Sequence, residues 1–186
     1  MRQACAAAHP SDLMGVRALT ARLPSVPHVA AFDTAFHAAM PEESCLFGLA
    51  YECYQRNGIR RFGFHGASHR YVSLRAAEFL GRDPRSFACV SCHMGNGVSI
   101  ATIRDGRSVN NSLGFGTMCG APLGTRAGDV DPAAVLHMID SLGMSTRGVN
   151  HLLYFESGLK GILGFPATCG TWKRLQARET HGRASP

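Results

Sequence analysis

Residues 87–112 read FACVSCHMGNGVSIATIRDGRSVNNS, and this stretch decides the fold class. Phe87–Cys92 is a short apolar run of β-prone residues, and a glycine-rich turn follows it. Val98–Arg104 and Arg107–Ser112 then flank Asp105-Gly106, a dipeptide typical of a two-residue hairpin turn. The stretch therefore predicts an antiparallel hairpin with a third strand beside it.

Helical patterns lie on both sides of this predicted sheet. Apolar residues recur at helical spacing in 44–57, where Asn57-Gly58 ends the pattern. Asp131-Pro132 is a good helix start, because aspartate caps the first turn and proline fits its first position. Together they predict a mixed α/β domain, in which two further helices cover Ser68–Leu80 and Val149–Phe155 and a strand covers Val29–Phe32.

Composition excludes several classes of protein. The chain has 186 residues, 45% of them hydrophobic, and a net charge of +6. No basic stripe with interleaved aromatic residues is present, so we expect no nucleic-acid partner. No apolar run reaches the length of a membrane span, and the first residues are too short for a secretory signal. Seven cysteines without such a signal are typical of reduced thiols, so we expect a cytoplasmic protein without a membrane partner.

Two short segments place a polar side chain beside small residues. Asp33 follows the predicted strand, where an acid can orient a nucleophile or a magnesium-bound phosphate. A helix cap or turn residue is the simpler interpretation of Asp33 taken alone. His65 lies between Phe64 and Gly66, so its ring can face a transferring phosphoryl group. A loop histidine bonded to the backbone is the simpler interpretation of that residue alone.

Two later segments have the composition of an anion site. His93-Met94-Gly95-Asn96-Gly97 is a turn in which glycines permit close approach of the backbone to a phosphate. Arg126 lies among small residues, and its guanidinium can bind an anion in fork geometry, although a surface ion pair with Asp129 or Asp131 remains open. Cys89, Cys92 and His93 also fit the pattern for covalent haem attachment, which leaves a small c-type haem protein as a remote alternative.

In this order and spacing the four segments resemble the acetate kinase family, whose members transfer phosphate between ATP and a short carboxylic acid. The resemblance is carried by residues 32–37, 64–69, 93–97 and 124–132. It implies an actin-like ATPase fold, in which two ribonuclease-H-like domains enclose a cleft. On that basis residues 1–40 end the first domain and 41–164 begin the second, whereas 165–186 form an atypical, possibly out-of-frame tail.

The resemblance also implies roles for individual residues. Asp33 is then the active-site acid, His65 stabilises the transition state, and Arg126 binds the carboxylate or the transferring phosphoryl group. ATP and Mg²⁺ are the implied cofactors, no metal ligand is assigned, and a homodimer is open as in the family. His69 would have a structural role, Phe64 and Thr117 would line the pocket for the acid, and the ATP phosphates would contact His93, Met94, Gly95, Asn96 and Gly97.

The chain departs from the family pattern at several positions. Thr117 replaces a proline of the acid pocket, which leaves acetate, propionate or a related acid open. Asn110-Asn111-Ser112 stands where the family has Asp-Thr-Ser. The chain is also about half the family's length and lacks segments that complete its nucleotide site. The alternative to an acetate-kinase-like phosphotransferase is therefore a non-catalytic remnant of one.

Overall fold

The computed structural model describes residues 10–164, and a three-stranded antiparallel sheet lies at its centre. Its strands are β1 (Ala88–Met94), β2 (Val98–Arg104) and β3 (Arg107–Asn111), with β2 in the middle. Met94 pairs with Val98 across the β1–β2 turn. The predicted hairpin and its neighbouring strand are confirmed.

The β2–β3 turn has the backbone that its dipeptide predicts. Asp105 and Gly106 have φ values of 54° and 74°, so both central residues are left-handed. Such a turn matches the right-handed twist of the flanking strands. A register shift follows between Thr102 and Ile103, which brings Ala101 opposite Asn111. The shift sets which residues at the end of β3 face inward.

Residues 10–164 contain seven α-helices. They are α1 (Pro10–Arg22), α2 (Glu42–Cys45), α3 (Tyr51–Gln55), α4 (Gly66–Phe79), α5 (Pro132–Asp140), α6 (Thr146–Phe155) and α7 (Gly158–Leu163). Of these, α4 packs most extensively on the sheet. The predictions of α4, α5 and α6 are confirmed within a few residues, and Asp131 accepts a hydrogen bond from Ala133 N as the predicted cap. The sequence reasoning did not anticipate α1 and α7.

Two sequence predictions of secondary structure are wrong. The helix predicted over 44–57 is divided into α2 and α3, because Leu46 is extended at ψ 143°. The Cys45 carbonyl accepts a hydrogen bond from Arg61 N at 2.7 Å instead of continuing a helix. The strand predicted at Val29–Phe32 is irregular and exposed, since no strand within the described residues pairs with it.

The core between α4 and the sheet is unusually polar. The inward-facing residues of β2 are Ser99, Ala101 and Ile103, and each is at most 1% exposed. From α4, His69 is fully buried against them. A 3₁₀ turn at Ala35–His37 also packs against α4 and β3. The proposed domain boundary at residue 40 stays a prediction.

No helix in the described part of the chain is long and apolar enough to cross a membrane.

Candidate active site

The Asp33 carboxylate lies at the start of α4. His65 is the N-cap of this helix in a left-handed conformation (φ 57°), and its backbone N–H donates to Asp33 Oδ2 at 2.7 Å. Gly66 N donates to the Asp33 carbonyl at 2.8 Å. A helix start favours an acid by its partial positive charge. The backbone of α4 thus fixes the position of the exposed Asp33.

The His65 and His93 rings stack against each other. Their centroids are 4.0 Å apart and their planes differ by 19°. His65 Nδ1 bonds Ser99 Oγ at 2.8 Å, and His93 Nδ1 bonds Ser68 Oγ at 2.9 Å. Burial, followed by the neighbouring His93, lowers the pKa of His65. The His65 ring is therefore held as a neutral group near physiological pH.

Arg126 faces the His65 ring across Gly97. A Cβ at Gly97 would lie 3.0 Å from His65 Nε2 and 3.1 Å from Arg126 Nη2. The other guanidinium nitrogen, Nη1, donates to the Thr117 carbonyl at 2.6 Å. The bare backbone at Gly97 therefore lies at a narrow gap between an imidazole and a guanidinium, where even a methyl group would be in close contact with both. These contacts bring Asp33, His65, His93 and Arg126 together, in line with the single cleft that the resemblance implied.

Within residues 10–164 Arg126 has no carboxylate partner. Asp129 Oδ1 accepts from Gly120 N at 2.8 Å, and Asp131 caps α5. Neither acid forms an ion pair with Arg126, so the surface-pair alternative is wrong. Burial lowers the pKa of the half-buried Arg126, although a guanidinium stays charged at neutral pH. An unpaired, partly desolvated cation is a good binding group for an anion.

The loop that carries Arg126 is held from two sides. Gly124 N donates to the Asn96 carbonyl at 3.2 Å, which joins this loop to the β1–β2 turn. On the other side Leu159 N donates to the Leu123 carbonyl at 2.8 Å. A Cβ at Gly158 would lie 2.2 Å from that carbonyl oxygen and 2.4 Å from the oxygen of Arg126. The sequence reasoning missed this role of Gly158.

Some backbone groups of the β1–β2 turn form hydrogen bonds within the turn itself. Gly95 N donates to the Gly97 carbonyl at 2.9 Å, and the Met94 side chain is 66% exposed. Gly97 borders the gap, and His93 is stacked on the His65 ring, whereas Asn96 contacts the Arg126 loop through its carbonyl. Contacts of His93, Met94, Gly95, Asn96 and Gly97 with ATP phosphates stay a prediction.

Phe64 and Thr117, the two residues predicted for the acid pocket, are held in place by hydrogen bonds to their backbone carbonyls. The Phe64 carbonyl accepts from His37 Nε2 at 3.0 Å and from Asn111 Nδ2 at 3.1 Å. The Thr117 carbonyl is the acceptor of Arg126 described above. Both residues thus adjoin the site, and their contact with a substrate stays a prediction. The sequence did not point to His37 or Asn111 as site residues, although His37 ends the first of the four segments and Asn111 stands where the family has a threonine.

Covalent haem attachment does not fit the structure. Cys89 and Cys92 lie on β1, and residues three apart on a strand point to opposite faces. Their side chains therefore do not converge on one ligand, and His93 Nδ1 is already bonded to Ser68. Within residues 10–164 no group of three or more His, Cys, Asp or Glu residues is placed to hold a metal ion.

His69 lies directly behind the site. It is fully buried, and its two ring nitrogens bond Ser91 Oγ at 3.0 Å and Ser99 Oγ at 2.7 Å. Burial, followed by the nearby His37, His65 and His93, lowers the pKa of His69 to about 4. The structure therefore places it in a supporting position, as the resemblance implied.

Acid should destabilise the fold through His69. Because its pKa is about 4 when folded and ordinarily 6.5, the unfolded chain binds more protons between these values. Stability is then complete above pH 6.5 and is lost as the pH falls toward 4. We expect a loss of about 2 kcal/mol between about pH 7.5 and about pH 5, measured by urea denaturation. His69→Gln, which keeps hydrogen-bonding groups, should remove this part of the slope, and an unchanged slope would contradict the expectation.

Comparison with known proteins places this arrangement in a family. The acetate kinase of Staphylococcus carnosus is 49% identical over 156 residues, which are 84% of this chain and 39% of that protein. The acetate kinase of Bacteroides fragilis is 47% identical over 155 residues, with 83% and 39% covered.

Two solved structures are similar over most of this chain. The crystal structure of Porphyromonas gingivalis acetate kinase has a TM-score of 0.84 at 38% identity, and a propionate kinase from Francisella tularensis has a TM-score of 0.84 at 36% identity. Each match covers 91% of this chain and 43% of the other. The fold is therefore part of the actin-like ATPase fold.

Residues 3–185 match the sequence model of the acetokinase family. This chain belongs to the acetokinase family. It spans 39% of the length of the two curated relatives above and 43% of the two solved chains. The matched range includes most of 165–186, whose structure lies outside the described residues, and the out-of-frame tail stays a prediction.

Proposed function

We propose that the site transfers a phosphoryl group between ATP and a short carboxylate such as acetate or propionate, with an acyl phosphate as product. The observation that carries this proposal is the unpaired guanidinium of Arg126, which faces the His65 ring across the bare backbone of Gly97. Phosphoryl transfer needs positioned groups that neutralise charge rather than a protein nucleophile. An arginine and an imidazole on either side of a small gap supply such groups.

Each residue contributes a separate task to this reaction. Arg126 binds the anionic oxygens of the carboxylate or the phosphoryl group in fork geometry. His65 offers a ring nitrogen to charge that develops during transfer. Asp33, fixed on the backbone of α4, orients the phosphates together with the ion they carry. The backbone at Gly97 permits close approach, and Phe64 and Thr117 line the pocket for the alkyl group of the acid.

The residues present fit ATP and Mg²⁺. The gap at Gly97 has the cationic and donor groups that phosphates require. Since no described cluster of side chains encloses a metal ion, Mg²⁺ would enter with the phosphates and keep water ligands, as it does at many such sites. When bound, the ion neutralises phosphate charge. We place the reaction in the cytoplasm, where ATP is available, and include a homodimer in the proposal.

A second candidate is a non-catalytic remnant that retains the fold. It is favoured by the extent of the chain, which covers 39% of the curated acetate kinases above. The two candidates differ in turnover. A transferase, supplied with ATP, Mg²⁺ and acetate or propionate, forms an acyl phosphate that hydroxylamine traps as a hydroxamate. A folded chain that gives no hydroxamate with either acid would contradict the transferase and support the remnant.

A further inference from the structure

A row of four side chains, which we name the histidine–serine relay, extends from the interior to the site. It consists of Ser91, His69, Ser99 and His65, joined by contacts of 3.0, 2.7 and 2.8 Å. Ser91 is 7% exposed, and His69 and Ser99 are fully buried. The row ends at His65 Nδ1, so the other ring nitrogen of His65, Nε2, is the one beside Gly97 and Arg126.

The number of protons restricts how the relay can be arranged. Ser99 has one hydroxyl proton and lies between two ring nitrogens, so it can donate to only one of them. With both rings neutral and the Ser99 proton donated to one of them, two arrangements remain. In one, Ser91 donates to His69, His69 Nε2–H donates to Ser99, and Ser99 donates to His65 Nδ1. In the other, the directions are reversed: His65 Nδ1–H donates to Ser99, Ser99 donates to His69 Nε2, and His69 Nδ1–H donates to Ser91. A third, in which Ser99 accepts from both rings, would leave its own buried hydroxyl proton without a partner among the described residues.

The two arrangements differ at the buried end of the relay. In the first, each proton within the row has an acceptor, and the proton of His65 on Nε2 lies at the gap, free to donate to a ligand. In the second, His69 donates to Ser91, and the Ser91 hydroxyl proton has no acceptor among the described residues. An unpaired buried donor costs free energy, so the first arrangement is favoured.

We propose that Ser99, supported by His69 and Ser91, is a positioning residue that keeps the proton of neutral His65 on Nε2, where it faces the gap at Gly97. His65 then presents a hydrogen-bond donor, rather than a lone pair, to a phosphoryl oxygen. This consequence for transfer rests on the proposed function, whereas the position of the proton does not. Asp33, His37, His93 and Arg126 are the other titratable or charged groups near His65, and all remain in the variants below.

Long-range ¹H–¹⁵N NMR of this chain labelled at histidine tests the proposal. At neutral pH we expect both His65 and His69 to carry their protons on Nε2, with the His65 signals assigned by their loss in His65→Gln. Ser91→Ala removes the bias between the two arrangements without touching a hydrogen bond of His65. The Nδ1–H population of both rings should then rise together, by about fivefold or more.

Ser108→Ala is the matched control. It removes a buried serine that bonds His37 Nδ1 at 2.7 Å, so it perturbs the same core without breaking the relay. It should leave both rings unchanged. A wild-type His65 with its proton on Nδ1, or a folded Ser91→Ala variant whose two rings do not change, would overturn the proposal. Neither NMR measurement needs turnover. If His65 carries its proton on Nε2 but the chain forms no hydroxamate, the proposed phosphoryl transfer is rejected and the proposed proton position is not.

Discussion

Replacement of Gly158 by alanine is expected to destabilise the fold by roughly 3–5 kcal/mol, or to prevent folding. The added Cβ would lie 2.2 Å from the Leu123 carbonyl oxygen and 2.4 Å from that of Arg126. Both obstacles are backbone atoms, so they cannot rotate away as a side chain does. The left-handed backbone of Gly158 (φ 63°) adds its own cost for an L-residue. Urea denaturation of the purified variant measures the loss.

Gly143→Ala separates the steric cost of the added Cβ from the cost of the left-handed backbone. Gly143 has a similar backbone (φ 68°), but a Cβ there would meet nothing within 4 Å. This control should therefore lose only about 1 kcal/mol, the cost of the left-handed conformation. Equal losses in the two variants would show that the close packing at Gly158 has no energetic effect.

Arg126→Gln is expected to lower the rate of acyl phosphate formation by roughly 10²–10³-fold. Glutamine keeps part of the length and polarity of arginine but removes the positive charge beside Gly97. Arg126→Lys should recover part of the rate, because it restores the charge without the planar fork. The hydroxamate assay measures all three proteins, and circular dichroism checks that each is folded. This expectation rests on the proposed function.

Arg147→Gln is the control for loss of a positive charge. Arg147 lies on α6 with an exposed side chain and forms no ion pair with the described residues. Its replacement should leave the rate unchanged. An Arg126→Gln variant that turns over as fast as Arg147→Gln would remove Arg126 from the mechanism.

Local signals in the sequence were sufficient for the elements that depend on local chemistry. Asp105-Gly106 specifies the hairpin, because few other dipeptides adopt two left-handed residues readily. Asp131-Pro132 specifies the start of α5 through a cap that needs only its own segment. The convergence of Asp33, His65, His93 and Arg126 was predictable from the order of the four segments, since the resemblance implied one cleft.

Features that depend on distant partners could not be predicted in the same way. The helical pattern over 44–57 is interrupted because the backbone N–H of Arg61 donates to the Cys45 carbonyl. No residue inside the pattern indicates this contact. The β-prone Val29–Phe32 lacks a partner strand within the described residues. Ser99 stands in an apolar run and has no local sign of a role, because its importance comes from two histidines that are 30 and 34 positions away.

The contact between Asp33 and residue 65 involves the main chain of residue 65 and not its ring. The hydrogen bond that holds the Asp33 carboxylate therefore does not depend on which side chain residue 65 carries, provided that the left-handed backbone is kept. Asparagine and glycine tolerate this conformation better than other residues do. Mutagenesis at this position can thus replace the imidazole while the carboxylate stays in place. The contributions of the Asp33 carboxylate and of the His65 ring can therefore be measured separately.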